Sequence, residues 1–93
     1  MILSVNAFEN RPWLLISRQN CHLCYAMEKA LREFLKSQNI DENALEVIDI
    51  DAPESAEFLE KYNILVPVLL LNGVEICHYH FDESAVLKSL KTP

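Results

Sequence analysis

The sequence predicts an α/β fold: a four-stranded mixed sheet with helices on both faces, in the order β-α-β-α-β-β-α. Three observations predict it. Short apolar runs alternate with helix-period segments through the first two thirds of the chain, which favours a parallel βαβ unit with a right-handed crossover. "VPVLLLNGVEICHY" then reads as two strands around Asn72-Gly73, a two-residue hairpin signal. An amphipathic segment closes the chain. Its 93 residues, 51% of them hydrophobic, suffice for one domain spanning 1–93 and not for two.

The elements follow in order. "WLLIS", Trp13 to Ser17, is an apolar run after Pro12 and reads as a strand buried on both faces. "MILSV" at the start is a second short strand or a frayed end. From Cys21 the period changes: Leu23, Met27, Leu31 and Phe34/Leu35 recur at helical spacing, with Glu28, Lys29, Arg32, Glu33 and Lys36 on the other face. This predicts a helix of about four turns from near Cys21 to near Ser37, with Asn20 or Cys21 at the N-cap. "ALEVIDID", Ala44 to Asp51, is a strand centred on Val47, Ile48 and Ile50. Asp51-Ala52-Pro53-Glu54 starts a helix, with Pro in the first turn and acids near the positive end of the dipole, running to about Tyr62. Val66–Leu71 and Val74–Tyr79 form the hairpin. Asp82 caps a last helix with Val86, Leu87 and Leu90 on its apolar side. Trp13 and Tyr62 read as packing residues.

Charge and composition exclude several functions. The formal charge is −6, with 14 acidic residues against 8 basic ones, so the basic stripe of a nucleic-acid binder is missing. The first residues carry no basic start, long apolar run or cleavage site of a secretory leader. No window approaches the roughly 18 apolar residues of a membrane span. The expectation is a soluble cytoplasmic protein with no nucleic-acid or membrane partner. The chain has three cysteines, an odd number for a secreted disulfide scaffold. A close Cys pair in a reducing compartment points to catalysis or metal binding rather than a structural staple.

That pair is Cys21 and Cys24, with His22 between them. On the residues alone it reads as a redox couple, half of a metal site, or two small buried residues in a helix. Haem attachment is excluded, because Tyr25 rather than His follows Cys24.

A Cys-x-x-Cys just after the first βα junction, in this element order and with Val66-Pro67 opening the third strand, resembles the thioredoxin-like redox arrangement. Arg18, three residues before Cys21, stands where glutaredoxins often carry a Lys. The chain resembles the glutaredoxin branch of the thioredoxin fold, and most closely the small bacterial glutaredoxin-like proteins, over roughly residues 13–91. The resemblance implies thiol–disulfide exchange, with Cys21 as nucleophile and Cys24 as resolving thiol. It implies a cis Val66–Pro67 bond beside them, with Pro67 and the Val66 backbone positioning the substrate. The physical basis is the thiolate: unpaired N–H groups and the dipole at a helix N-terminus favour an ionised Cys21. Arg18 and His22, the latter where glutaredoxins usually have Pro, would tune the same ionisation. No tightly bound cofactor and no metal are expected. The implied partners are a protein or low-molecular-weight disulfide, and glutathione or a thioredoxin-type protein as reductant.

One segment departs from the resemblance. Glutaredoxins usually hold glutathione with a Gly-Gly pair and an acid after the hairpin, whereas this chain reads "CHYHFDES", with Asp82 and Glu83 as the only acids there. The segment also carries the main alternative, a zinc module built from Cys21, Cys24, Cys77 and either His78 or His80. By strand alternation Cys77 shares a face with Glu75 and Tyr79, opposite Ile76. A further alternative is a thioredoxin-fold adaptor without turnover.

Overall fold

The computed structural model describes residues 12–91; the expectation for "MILSV" falls outside them. Strand β1 (Trp13–Ser17) leads to helix α1 (His22–Ser37), a 3-10 turn (Glu42–Ala44) and strand β2 (Leu45–Asp49). A second 3-10 turn (Pro53–Ser55) opens helix α2 (Ala56–Tyr62), followed by β3 (Val68–Leu71), β4 (Val74–His78) and helix α3 (Glu83–Lys91). The sheet order is β2-β1-β3-β4. β1 runs parallel to β2 and antiparallel to β3, and β3 pairs antiparallel with β4. The α/β class, the mixed four-stranded sheet and the element order β-α-β-α-β-β-α are those the sequence predicts.

Alternation along β1 explains the layers. Trp13 and Leu15 point to one face and pack with Met27, Leu31, Phe34 and Leu35 of α1 and Val86 of α3. Leu14 and Ile16 point to the other and pack with Tyr62 and Phe58 of α2. Each fully buried Leu or Ile contributes roughly 1.5–3 kcal/mol, so a central strand covered on both faces needs the unbroken apolar run it has. Trp13 and Tyr62 are buried packing residues, as expected.

Local chemistry ends each element. Cys21 is the N-cap of α1, its Sγ accepting from the Cys24 N–H at 3.2 Å. At the other end, Ile40 N–H donates to the Leu35 carbonyl and Asn39 N–H to the Lys36 carbonyl. With Asn39 at φ 58°, this is a Schellman ending. The sequence has a single glycine, and among the described residues asparagine takes three of the four other left-handed positions, Asn20, Asn39 and Asn72, with Tyr79 the fourth. Asn72 (φ 51°) and Gly73 (φ 84°) give the type I′ hairpin turn. Asp82 caps α3 by accepting from the Ala85 N–H at 3.0 Å.

Three local expectations change. The apolar seam of α1 begins at Cys24, which is completely buried, and not at Leu23, which is 40% exposed. Both Leu23 and Cys24 stand at three-to-four spacing from Met27, and the packing of α1 on the sheet selects Cys24. β3 starts at Val68 rather than Val66, because Pro67 supplies no N–H to the ladder. The largest change is in β4. A bulge shifts the register so that Leu70 faces Glu75 and Leu69 faces Cys77, leaving Ile76 as the extra residue. Strict alternation therefore fails: Cys77 and Ile76 both pack in the cluster beneath α1 and α3, while Glu75 is exposed. A bulge adds one residue to one strand and reverses the side assignment beyond it.

Candidate active site

The site is built at the carboxyl end of β1, where the chain leaves the sheet and turns into α1. Arg18, Gln19 and Asn20 form the connecting loop, and the Tyr25 hydroxyl accepts the Asn20 N–H at 3.1 Å, pinning the loop to the first turn of the helix. Cys21 and Cys24 are joined as a disulfide, with their Cα atoms 5.2 Å apart. The two sulfurs differ in environment: Cys21 is half-buried at the cap, and Cys24 is wholly inside. A sulfur at an N-cap that already accepts a backbone N–H sits at the positive end of the dipole, which stabilises a thiolate there. His22, the first residue of α1, is exposed.

Val66–Pro67 lies on the neighbouring strand's approach. The bond is cis, and Pro67 is fully buried at the entry to β3, beside the end of β1 with which β3 pairs. Residues 63–67 are held from two sides. Tyr79, in the left-handed region at φ 67°, donates its N–H to the Pro67 carbonyl at 2.8 Å. Its hydroxyl donates to the Ile64 carbonyl at 3.0 Å. On the other side, the Arg18 guanidinium donates to the Asn63 carbonyl at 3.2 Å and to Asn63 Oδ1 at 2.7 Å.

Arg18 has a second partner. Its Nε and Nη2 donate to the two carboxylate oxygens of Asp51, at 2.8 and 3.1 Å, a bidentate pair. The hydrogen bond to Asp51 is the main reason the Arg18 pKa rises, and the same bond holds the Asp51 carboxyl below its usual range. Arg18 therefore ties the dithiol loop to the loop after β2 and to the segment entering Pro67. The sequence could not show this, because the partners lie 33 and 45 residues away. Tyr79 was missed as well; its one signal was a bulky residue where a flexible one was expected.

The segment 77–83 does not join the cysteine pair. Burial pushes the Cys77 thiol up; the Asp82 backbone N–H opposes this, and the Asp82 and Glu75 charges add to it. His78 Nδ1 is paired with Glu75 at 3.0 Å. Among the described residues, no three His, Cys, Asp or Glu side chains are gathered as a metal site. The ligand set of the zinc alternative, Cys21, Cys24, Cys77 and a His, is therefore not brought together among the described residues. Among the described residues no helix is long and apolar enough to cross a membrane.

A mixed sheet of this order, a Cys-x-x-Cys pair at the first βα junction and a cis-proline at the entry to the strand paired with β1 define a thioredoxin-like protein. Residues 13–91 match the family model described as Glutaredoxin-like domain (DUF836), and the chain belongs to that glutaredoxin-like family. It is similar to the solution NMR structure of protein Ne2328 from Nitrosomonas europaea, with 33% sequence identity and a TM-score of 0.69. That match covers 96% of this chain and 98% of the other. No curated protein matches this chain.

Proposed function

We propose that this protein is a thiol–disulfide oxidoreductase working through the Cys21–Cys24 couple, in the cytoplasm. The observation that carries the reading is the asymmetry of the pair: an accessible sulfur at a helix N-cap and a buried one bonded to it from within. In the reduced protein the Cys21 thiolate attacks a substrate disulfide, forming a mixed disulfide and releasing one thiolate. Cys24 then attacks Cys21, closing the internal disulfide and releasing the second thiol. Two electrons pass from the dithiol to the substrate, and an external thiol, glutathione or a thioredoxin-type protein, restores the dithiol. No tightly bound cofactor takes part.

In this reading Pro67 and the Val66 backbone position the substrate against Cys21. The α1 N-terminus is the main stabiliser of the thiolate. Arg18 adds little to it, because a guanidinium already paired with a carboxylate projects a weak net field. His22 tunes the reduction potential: replacing it by Pro lowers the potential, and an unchanged value removes His22 from the scheme. The reading is tested by trapping. A Cys24→Ser variant is expected to hold its substrate on Cys21 as a mixed disulfide released by dithiothreitol. A Cys21→Ser variant that reduces disulfides at the native rate would overturn it.

A further inference from the structure

Arg18 stands in the loop that delivers Cys21, three residues ahead of it, so an anionic substrate reaching the dithiol would meet a loop that carries a cation. The hydrogen bonds say otherwise. A guanidinium has five N–H donors. Nε and Nη2 serve the two oxygens of Asp51, and Nη1 and Nη2 serve the carbonyl and Oδ1 of Asn63. The fork that would receive an incoming carboxylate is already closed by a carboxylate of the protein. The surroundings reinforce this. The groove beside the loop, about 210 Å³, is lined by Arg18, Tyr25, Glu28 and Asp49 among others. Arg32, further along α1, is likewise closed, by Glu28 at 3.0 Å and Glu42 at 3.2 Å.

We propose that Asp51 determines the charge specificity of the dithiol: by occupying Arg18 it withholds the cation of the loop leading into Cys21 from anionic thiols. The couple consequently exchanges with neutral or cationic disulfides in preference to anionic ones. Asp51 touches no reacting atom; it acts through Arg18, and is a specificity-determining residue in that sense. The inference rests on the exchange reaction described above and sharpens its substrate class. The reaction is unchanged: Cys21 S⁻ displaces one thiolate from the disulfide, and Cys24 displaces the other thiol from Cys21. What differs is the stabilisation of a carboxylate held near Arg18 during that displacement.

The test uses the reduced full chain at low ionic strength with three probe disulfides: anionic glutathione disulfide, neutral hydroxyethyl disulfide and cationic cystamine. The native protein is expected to show a lower kcat/KM for glutathione disulfide than for cystamine. In Asp51→Asn, which removes the neutralising carboxylate charge from Arg18, the ratio of kcat/KM for glutathione disulfide to that for hydroxyethyl disulfide rises about fivefold. That factor corresponds to roughly 1 kcal/mol, the upper range for an exposed ion pair. The change is expected mainly in KM, and Asp51→Glu returns the ratio toward native. A freed Arg18 that merely lowered the Cys21 pKa would speed all three probes alike and leave the ratios unmoved, so an equal rise overturns the inference. An unchanged ratio, or a native preference for glutathione disulfide over cystamine, overturns it as well. If the native protein exchanges with none of the three probes, the oxidoreductase reading fails and takes this inference with it. If it exchanges and only the ratio fails to move, the oxidoreductase reading stands alone.

Discussion

Two regions of this molecule present a sulfur to a backbone N–H near the start of a helix, and they differ in accessibility. At the head of α1, Cys21 Sγ accepts the Cys24 N–H and remains half-buried. Before α3, Cys77 has the Asp82 N–H within reach, but it is only 9% exposed. For Cys77, burial outweighs the donor and the thiol is held neutral. The difference teaches that a helix start does not by itself make a reactive cysteine. The sulfur must also keep enough water around it for its charge to be tolerated.

The largest effect expected from this contrast separates the two cysteines by activity. Cys21→Ser is expected to lower disulfide reduction to the uncatalysed background, while Cys77→Ser, at a buried residue outside the Cys21–Cys24 couple, keeps most of it. Equal losses in the two variants, measured by reduction of a chromogenic disulfide, would erase the distinction. Next, the reduced protein is expected to react with iodoacetamide at Cys21 at least about tenfold faster than at Cys77 near pH 7, since thiolate fraction and access both favour Cys21. Mass mapping of the labelled cysteine after short exposures gives the answer. Raising the pH to 9 leaves Cys77 slow, because its pKa lies above the ordinary thiol value; rapid labelling there would mean that the region opens.

A smaller effect tests Cys77 as packing. Cys77→Ala removes a sulfur from the cluster containing Phe34 and Val86 and is expected to cost about 1 kcal/mol in urea unfolding, within the range for deleting a small buried group. The smallest concerns Asp51, whose carboxyl is held low by Arg18. A depressed folded-state pKa contributes stability above the unfolded value, about 3.9, and loses it as pH falls through the folded value. The small Tm difference between native protein and Asp51→Asn is therefore expected to be constant from pH 7 to about pH 5 and to vanish in stronger acid. A difference that persists there would mean that Asp51 acts otherwise than through its charge.

The sequence was informative where a signal is local. The apolar run of β1, the period of α1, the Asn-Gly turn and the Asp82 cap each lie within a few residues, and each element stands within two or three residues of its expected bounds. The cysteine pair and Val66-Pro67 were legible for the same reason. What could not be read depended on partners far along the chain. The Asp51 and Asn63 contacts of Arg18 come from two other loops. The inward turn of Cys77 comes from one extra residue in β4, which no alternation pattern reports. Leu23 and Cys24 differ by a single helical step, and only the packing against the sheet decides which of them starts the seam.

The bulge in β4 has a further consequence. Among the described residues β4 is an edge strand, and a regular edge offers its free backbone groups to the next strand that approaches. Ile76 breaks that edge in its middle, and the exposed Glu75 beside it places a charge where another chain would have to dock. One inserted residue thus hides a thiol from solvent and guards this edge of the sheet against pairing with another chain.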